Sequence, residues 1–491
     1  MANLQKSQWS SEILPLHDKA FWGISFFILG SLIAGLLAGE IHRAFFIFSL
    51  LGIFFGFLWM LHKRTLAFLS IFIIIGAGYY NIYDVIQKNI IIPFGSNAVV
   101  TGVVKDVATG ESRQTITVSL YKPYKGRIRV TAKKYPEYIY GEVVTLEGSI
   151  SKPPERASHY FDKERIYGVM SYPEVTHVRE GEGFYIKKIL LSVKRFAGES
   201  FKKVLPHNLA IFLTGLLLGE TAEFSGEFKE AMSLTGTSHL VALSGYNVTI
   251  IAKSIIVLLG MWLSRRSTFI ASSIAISAFV MMTGADVTVI RASIMAFLVL
   301  LASQSERGYS MRNAISVAAW IMILCNPKIL LWDVGFQLSF IALLGLIYVK
   351  PALTKILRLS HNPGVLGWRE NLLTTLSAQI AVLPILFMTF GIFSPISLVT
   401  NVLILTAIPI TMLFGFLITV TSLISGYFAL LFGLLARIFL EYEVGIISFF
   451  SKISIATWEG SFGLIASTIY YAVLLSLVVY MRDKKTYAQD F

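Results

Sequence analysis

The sequence predicts an α-helical polytopic membrane protein with a small all-β domain inserted near its N-terminal end. Three observations carry this expectation. Of 491 residues, 55% are hydrophobic and only 14% charged, with a mean hydropathy of +0.68, whereas an average soluble domain carries roughly 25% charge. Apolar runs recur from residue 20 onward, and at about 1.5 Å per residue many are long enough to cross some 30 Å of hydrocarbon. One stretch, Ala98 to Arg179, breaks the pattern: charge rises and the hydrophobic period falls to two.

The chain opens with three apolar runs, Ala20–Gly39, Ala44–Leu61 and Leu66–Tyr83, each expected to span. The first is too long for a secretory h-region, so a cleaved leader is not expected. Gly52 and Gly56 give the second a small-residue face that suits either a close helix neighbour or lipid.

Next come five expected strands, Ala98–Val107, Gln114–Tyr121, Gly126–Lys133, Glu142–Ile150 and Val169–Val178, separated by turn residues such as Thr109-Gly110, Pro123 and Gly141. Five short strands in about eighty residues suit a Greek-key barrel of the OB-like kind. Gly183–Leu205 then reads as a basic amphipathic helix. Ile186, Ile189, Leu190, Val193, Ala197, Phe201 and Val204 share one face, while Lys187, Lys188, Lys194, Lys202 and Lys203 lie mainly elsewhere. Such a helix is expected to lie in the membrane interface.

After Pro206 the expected spans are His239–Leu263, Thr268–Thr283, Val287–Ala302, Ala314–Leu324, Ile329–Val349, Leu372–Phe390, Ile396–Leu423, Tyr427–Leu440 and Leu464–Tyr480, for about ten or more in the whole chain. Ile211–Gly219 is too short to cross and is admissible at membrane depth only where protein or a watery cavity surrounds it. The expected division is therefore residues 1–90 (N-terminal helices), 91–182 (β domain), 183–206 (interfacial helix) and 207–491 (polytopic domain).

The net charge of +13 is explained largely by topology. With a cytoplasmic N-terminus, His62-Lys63-Arg64, Arg265-Arg266, Arg307 with Arg312, Lys350, Lys355, Arg358 and Arg369, and the tail Arg482, Lys484 and Lys485 all fall inside, as the positive-inside rule requires. The outside loops around Gly284, Pro327 and Gly391 hold a single Lys328. Both termini are then cytoplasmic and the β domain extracytoplasmic. The single cysteine, Cys325, excludes a disulfide framework and is expected as a small buried hydrophobe. No metal-ligand spacing or Walker motif occurs, so no metal or cofactor is expected and energy must come from elsewhere.

The least ordinary segment is Thr237–Val248, TSHLVALSGYNV. It sets His239, Ser244, Gly245 and Asn247 inside an apolar run, where lipid offers polar groups no partner. The choices are hydrogen bonding between helices or a polar-lined pathway. Arg291 is costly in a span, about 2.5–3.5 kcal/mol at a helix centre, and should face the bundle interior. Asp286 fits best as a helix N-cap, leaving Arg291 to pair with a phosphate or with Glu220. Gln337 and Gln379 are further intramembrane polar groups. In the β domain, Tyr121–Tyr135 carries Lys122, Lys125, Arg127, Arg129, Lys133 and Lys134 with Tyr121, Tyr124 and Tyr135 interleaved and no acid among them. A cationic track with aromatic platforms is how OB folds hold single strands; a solvated charged face is the alternative.

TSHLVALSGYNV is similar to the HLxAISGxHV hallmark of the ComEC family, the channel proteins of bacterial DNA uptake. In order, Leu213–Glu220 (LTGLLLGE), Val289–Met295 (VIRASIM), Gly335–Leu346 (GFQLSFIALLGL), Gln379–Pro384, Phe390-Gly391 and Asn401 through Pro409 resemble further family motifs. The resemblance implies a channel in the bacterial cytoplasmic membrane passing single-stranded DNA inward, with His239, Ser244, Gly245, Asn247, Arg291, Gln337, Gln379 and Glu220 lining it. It also implies a separate nuclease, an extracytoplasmic DNA receptor and a cytoplasmic helicase or strand-binding protein as partners. Asn247 departs from the family's usual His. The eight histidines form no His-x-His-x-Asp-His cluster of a metallo-β-lactamase-like domain, so no nuclease activity is expected. The rival expectations are a transporter of another polar or lipidic solute, and a membrane-embedded hydrolase using His239 and Ser244.

Overall fold

The computed structural model describes residues 16–36, 64–88, 90–110, 112–179, 181–241, 243–305, 310–357, 368–453 and 458–481. The expected second span, Gly52 and Gly56, and the cytoplasmic cations His62, Lys63, Arg307, Arg358, Arg482, Lys484 and Lys485 lie outside them. In chain order the helices are α1 (Leu16–Leu36), α2 (Arg64–Gln87), α3 (Ser158–Lys163), α4 (Tyr185–Val204), α5 (His207–Leu218), α6 (Gly226–Leu234), α7 (Ser238–Val241), α8 (Gly245–Gly260), α9 (Arg265–Thr283), α10 (Val287–Ser305) and α11 (Met311–Cys325). They continue as α12 (Val334–Ile356), α13 (Trp368–Phe390), α14 (Ser397–Ser422), α15 (Gly426–Phe450) and α16 (Leu464–Met481). Six of the described helical stretches are long and apolar enough to cross a membrane: Ser238–Gly260, α9, α12, α13, α14 and α16. The protein is thus a mostly helical polytopic membrane protein. It divides into two units, residues 1–89 with 311–331, and residues 90–310 with 332–491.

In the first unit α1 and α2 touch backbone to backbone. A Cβ on Gly30 would lie 1.9 Å from the Ile73 carbonyl oxygen, and one on Gly76 2.1 Å from that of Phe27. Buried Ser31 donates to the Gly76 carbonyl at 3.0 Å. Small residues allow this approach where no hydrophobic driving force separates helix from lipid. Lys328, 2% exposed, is held by Asp84 at 2.8 Å, so the one basic residue expected in the outside loops is a buried ion-pair member. Cys325, expected to be buried, is exposed.

In the second unit the β domain is built from β1 (Gly95–Thr109), β2 (Arg113–Leu120), β3 (Arg127–Lys133), β4 (Val143–Ser151), β5 (Gly168–Ser171) and β6 (Glu174–Arg179). β1 pairs with both β2 and β4, β3 with β2 and, in parallel, β5, and β5 with β4, which closes a five-stranded barrel; β6 extends along β4. β1 serves two partners because its register shifts between Val104 and Asp106. The alternating burial of β2 and β3 puts Ile116, Val118, Ile128 and Val130 inside. The expected last strand, Val169–Val178, is two strands, because Tyr172 takes a left-handed conformation (φ 47°) ahead of Pro173.

Three helical expectations also change. The expected span Ile329–Val349 is broken at Asp333, between a single helical turn at Ile329–Trp332 and α12, which Asp333 caps by accepting from the Phe336 amide at 2.7 Å. The helix passes through a π turn at Gly345–Val349, where a Cβ on Gly345 would meet the Ser377 carbonyl of α13 at 2.8 Å. α15 runs past the expected stop at Leu440 to Phe450. α5, the piece too short to span, is buried at every position from Leu209 to Leu218 and ends at Gly219 in the left-handed region, so its backbone bonds lie within protein. α4 divides its apolar face. Ala197 and Phe201 are buried against α5, α9, α14 and α15, while Ile186, Ile189 and Val193 stay exposed.

The β domain is fastened to α12 through α3. Lys163 Nζ lies 2.6 Å from Asp333 Oδ2, the two side chains 11% and 9% exposed, and His159 stacks on Trp332 at 3.6 Å. Asp333 therefore serves a helix cap and an ion pair at once. Burial of the Lys163 ammonium acts to lower its pKa, but the hydrogen bond and charge of Asp333, with Glu164 beside it, outweigh burial and hold it above the ordinary lysine value.

Two outcomes follow. Gly30→Val forces α1 off α2 and should cost about 1–3 kcal/mol or more, read as a lower midpoint of thermal unfolding in detergent. Asp333→Ala loses a cap worth about 1 kcal/mol and strands a buried cation, a loss of about 3–5 kcal/mol; hydrogen exchange over residues 158–166 should accelerate. A raised folded-state pKa contributes stability that is complete below the unfolded value near 10.4 and is lost as pH rises through the folded value. Protection factors in the unaltered protein, exchange corrected for its intrinsic base catalysis, should therefore hold across neutral pH and fall only in strong alkali.

Candidate functional site

The segment TSHLVALSGYNV does not form one helix. α7 ends at Val241, Ser244 takes an extended conformation (φ −67°, ψ 154°), and α8 starts at Gly245. Serine favours the cap because its hydroxyl replaces the acceptor that first-turn amides lack. Ser244 Oγ accepts from the Asn247 amide at 3.2 Å and donates to Asn247 Oδ1 at 3.0 Å. Asn247, fully buried, donates from Nδ2 to the carbonyls of Leu240 at 2.9 Å and Leu216 at 3.2 Å. The side chain thus stitches the break to itself and to α5. Thr288 at the start of α10 donates to the Leu243 carbonyl at 2.9 Å. The Leu240 and Leu243 carbonyls beside the break are in this way answered by side chains.

The strand of chain before the break is pinned by α14. Thr400 donates to the Thr235 carbonyl at 3.0 Å and Ser394 to that of Leu234 at 2.7 Å. Gly236, at φ +65°, lies so close that a Cβ would meet the Ser397 Cβ at 2.4 Å. Gln379 donates to Ser397 Oγ at 2.7 Å, which ties α13 into the same cluster. His239 is exposed, with Nδ1 3.0 Å from the Gly236 carbonyl. His239 and Ser244 spend their polar atoms on different partners, so the dyad a hydrolase would need is not assembled.

Arg291 on α10 is 6% exposed. Its guanidinium carbon lies 5.8 Å from the centre of the Phe340 ring on α12, and Nη2 lies 2.6 Å from where a Cβ on Gly245 would stand. Gly245 is therefore the residue that lets a guanidinium reach the start of α8. Arg291 Nη1 has no hydrogen-bond partner. The expected pairing with Glu220 is not made: exposed Glu220 binds Lys194 Nζ at 3.0 Å. Asp286 sits at the cap of α10, its carbonyl accepting from Ile290 at 2.9 Å. Gln337 lies half-buried on α12. His239, Ser244, Gly245, Asn247 and Arg291 thus gather at the break, Gln379 joins through Ser397, and Glu220 stands apart.

Two features escaped the sequence reading. Glu443 on α15 is fully buried, accepting from Thr411 at 2.7 Å through Oε1, with Oε2 unpartnered. Its sequence signal is an acid in an apolar run, just beyond Leu440 where the expected span was closed. The second is the pair Tyr160 and Phe161 on α3. Arg129 lies 5.2 and 5.1 Å from their ring centres and donates weakly to Tyr160 Oη at 3.4 Å.

Arg127, Arg129 and Lys133 share the outer face of β3, as period two requires. Lys122 and Lys125 are exposed in the turn before it, and half-buried Lys134 lies over the ring of exposed Tyr135 at 5.8 Å. Tyr124 packs on the barrel core instead of facing out. Tyr121 donates to Glu182, which holds that carboxyl below its ordinary pKa. The outward aromatic surface beside the cations is therefore Tyr135 and Tyr160 rather than Tyr121 and Tyr124. Among the described residues no group of three or more His, Cys, Asp or Glu could hold a metal ion.

Fold and site together define a multi-pass membrane protein with a closed β-barrel domain and a helix interrupted among its apolar spans. The sequence model described as "Competence protein" matches residues 216–484. The chain belongs to this family, as its resemblance to ComEC implied. ComE operon protein 3 of Bacillus subtilis (strain 168) is 27% identical over 247 residues, covering 50% of this chain and 30% of that protein. The matched segment thus spans less than a third of that relative's length. No solved structure matches the chain.

Asn247→Ala leaves two buried carbonyls without their donor, each worth about 1–3 kcal/mol, and should lower the thermal midpoint in detergent. Asn247→His offers a single N–H when neutral and should recover part of the loss.

Proposed function

We propose that the protein passes single-stranded DNA across the bacterial cytoplasmic membrane into the cell. The observation that carries this reading is the interrupted helix at Ser244-Gly245 with buried Arg291 against it, in a chain of the competence family. A polyanion crossing hydrocarbon needs water or a cationic partner for each phosphate, and broken helices bring backbone dipoles to membrane depth where an unbroken span brings none. In this reading residues 91–182 lie outside the cytoplasm and present the strand through Lys122, Lys125, Arg127 and Lys133. Residues 183–206 rest in the interface, where exposed Ile186, Ile189 and Val193 meet lipid. Residues 207–491 form the passage, with His239, Ser244, Gly245, Asn247, Arg291, Gln337 and Gln379 as its polar wall. Both termini are cytoplasmic. A separate nuclease, an extracytoplasmic receptor and a cytoplasmic helicase or strand-binding protein complete the route.

A strain lacking the protein should capture DNA at its surface normally and yield no transformants; normal transformation would overturn the reading. Purified protein carrying Lys125→Ala and Arg127→Ala should bind oligothymidylate more weakly. Its salt dependence should flatten by about 0.7 in log–log slope for each phosphate no longer neutralised.

A further inference from the structure

Beside the break in the apolar span the Leu240 and Leu243 carbonyls are taken by Asn247 and Thr288, and the Asn247 amide by Ser244. The amides of Gly245 and Tyr246, in the first turn of a 16-residue helix, have no acceptor within the helix and carry the positive end of its dipole. Arg291 stands against that end. A cation beside a helix N-terminus is electrostatically the wrong sign, and a guanidinium this deeply buried is costly without a counter-charge. Among the described residues no carboxylate pairs with it: Glu220 is held by Lys194 and Asp333 by Lys163. Arg291 is 6% exposed and its Nη1 has no hydrogen-bond partner. The Phe340 ring covers one side of the guanidinium but supplies no acceptor.

We propose that the start of α8 and the Arg291 guanidinium together form a binding site for one phosphate-class anion, a phosphodiester or phosphate monoester group. Gly245 is the floor of the site. Any side chain there would fill the space in which Nη2 stands, 2.6 Å from a Cβ, and would keep an oxyanion from the backbone amides. Tetrahedral oxyanions suit a helix N-terminus, and arginine's fork matches two phosphate oxygens at once. The site deepens the channel reading and rests on it for one of its two possible sources, the nucleic-acid backbone. A lipid headgroup presents the same chemistry.

The test uses the full chain in maltoside micelles, which contain no phosphate. Fluorescent oligothymidylate is titrated in, with inorganic phosphate and phosphatidylglycerol mixed micelles as competitors. The β-domain face is silenced by Lys122→Ala, Lys125→Ala, Arg127→Ala and Lys133→Ala in every sample, so the signal reports the membrane site. Oligothymidylate binding should compete with inorganic phosphate and weaken about tenfold to a hundredfold in Arg291→Gln. Gly245→Ala, which keeps every charge, should weaken it comparably, and Arg291→Lys should fall between. If radiolabelled inorganic phosphate binds through Arg291 and is displaced by phosphatidylglycerol but not by oligothymidylate, the anion is a lipid headgroup and the site stands even where the channel reading fails. Affinity unchanged in both Arg291→Gln and Gly245→Ala, or no phosphate-competed binding to the unaltered site, overturns the proposal. Should Arg291→Gln not fold, Gly245→Ala decides. Transformation lost on deletion and fully restored by Arg291→Gln, with phosphate affinity unmoved, would sink the site while leaving the channel reading intact.

Discussion

A backbone polar group inside hydrocarbon must find its partner within the protein, since lipid offers none. Most of this chain meets that demand by continuous helix. At Leu243 and Ser244 it does not, and the consequence organises everything nearby. Asn247 reaches back to Leu240 and across to Leu216, Thr288 reaches in from α10, and Ser244 closes the first turn of α8. Three elements far apart in sequence are thereby held to one short interruption. The same demand explains α5, which is too short to span and is wrapped in protein from Leu209 to Leu218.

Where helices need no interruption, small residues set their spacing. Gly30 and Gly76 let α1 and α2 touch through backbone atoms. Gly345 does the same between α12 and α13, at the π turn. Polar side chains then act as local fasteners: Ser31 on the Gly76 carbonyl, Thr400 on that of Thr235, Gln379 on Ser397. Asp333 fastens a larger part, joining the barrel to α12 through Lys163 while capping the helix. The β domain and α12 of the second unit are thus bound by a buried charge pair and a stacked ring, not by a flexible tether alone.

Much of the architecture was legible in the residues. The alternating burial of β2 and β3, the outward face shared by Arg127 and Arg129, and the amphipathic helix at 185–204 all follow from hydrophobic period. The site was legible as a set of residue types: Ser244, Gly245, Asn247 and Arg291 stood out because polar groups are scarce in apolar runs. Their partners were not. Of the two partners expected for Arg291, a phosphate or Glu220, the second binds Lys194 instead, and Tyr121 and Tyr124 were read as aromatic platforms although one bonds Glu182 and the other packs inward. Glu443 fell outside the expected span Tyr427–Leu440, whereas α15 continues through it to Phe450.

Composition and period determined that this chain is a polytopic helical protein with one small β domain, because burial against lipid or core is a property of local pattern and needs no knowledge of neighbours. Tertiary structure decided which polar groups answer one another. The interruption at Ser244, the burial of Arg291 against Gly245 and the capture of Asp333 by Lys163 each depend on segments distant in sequence meeting at hydrogen-bond range. Pattern along a single helix or strand carries no term for that distance.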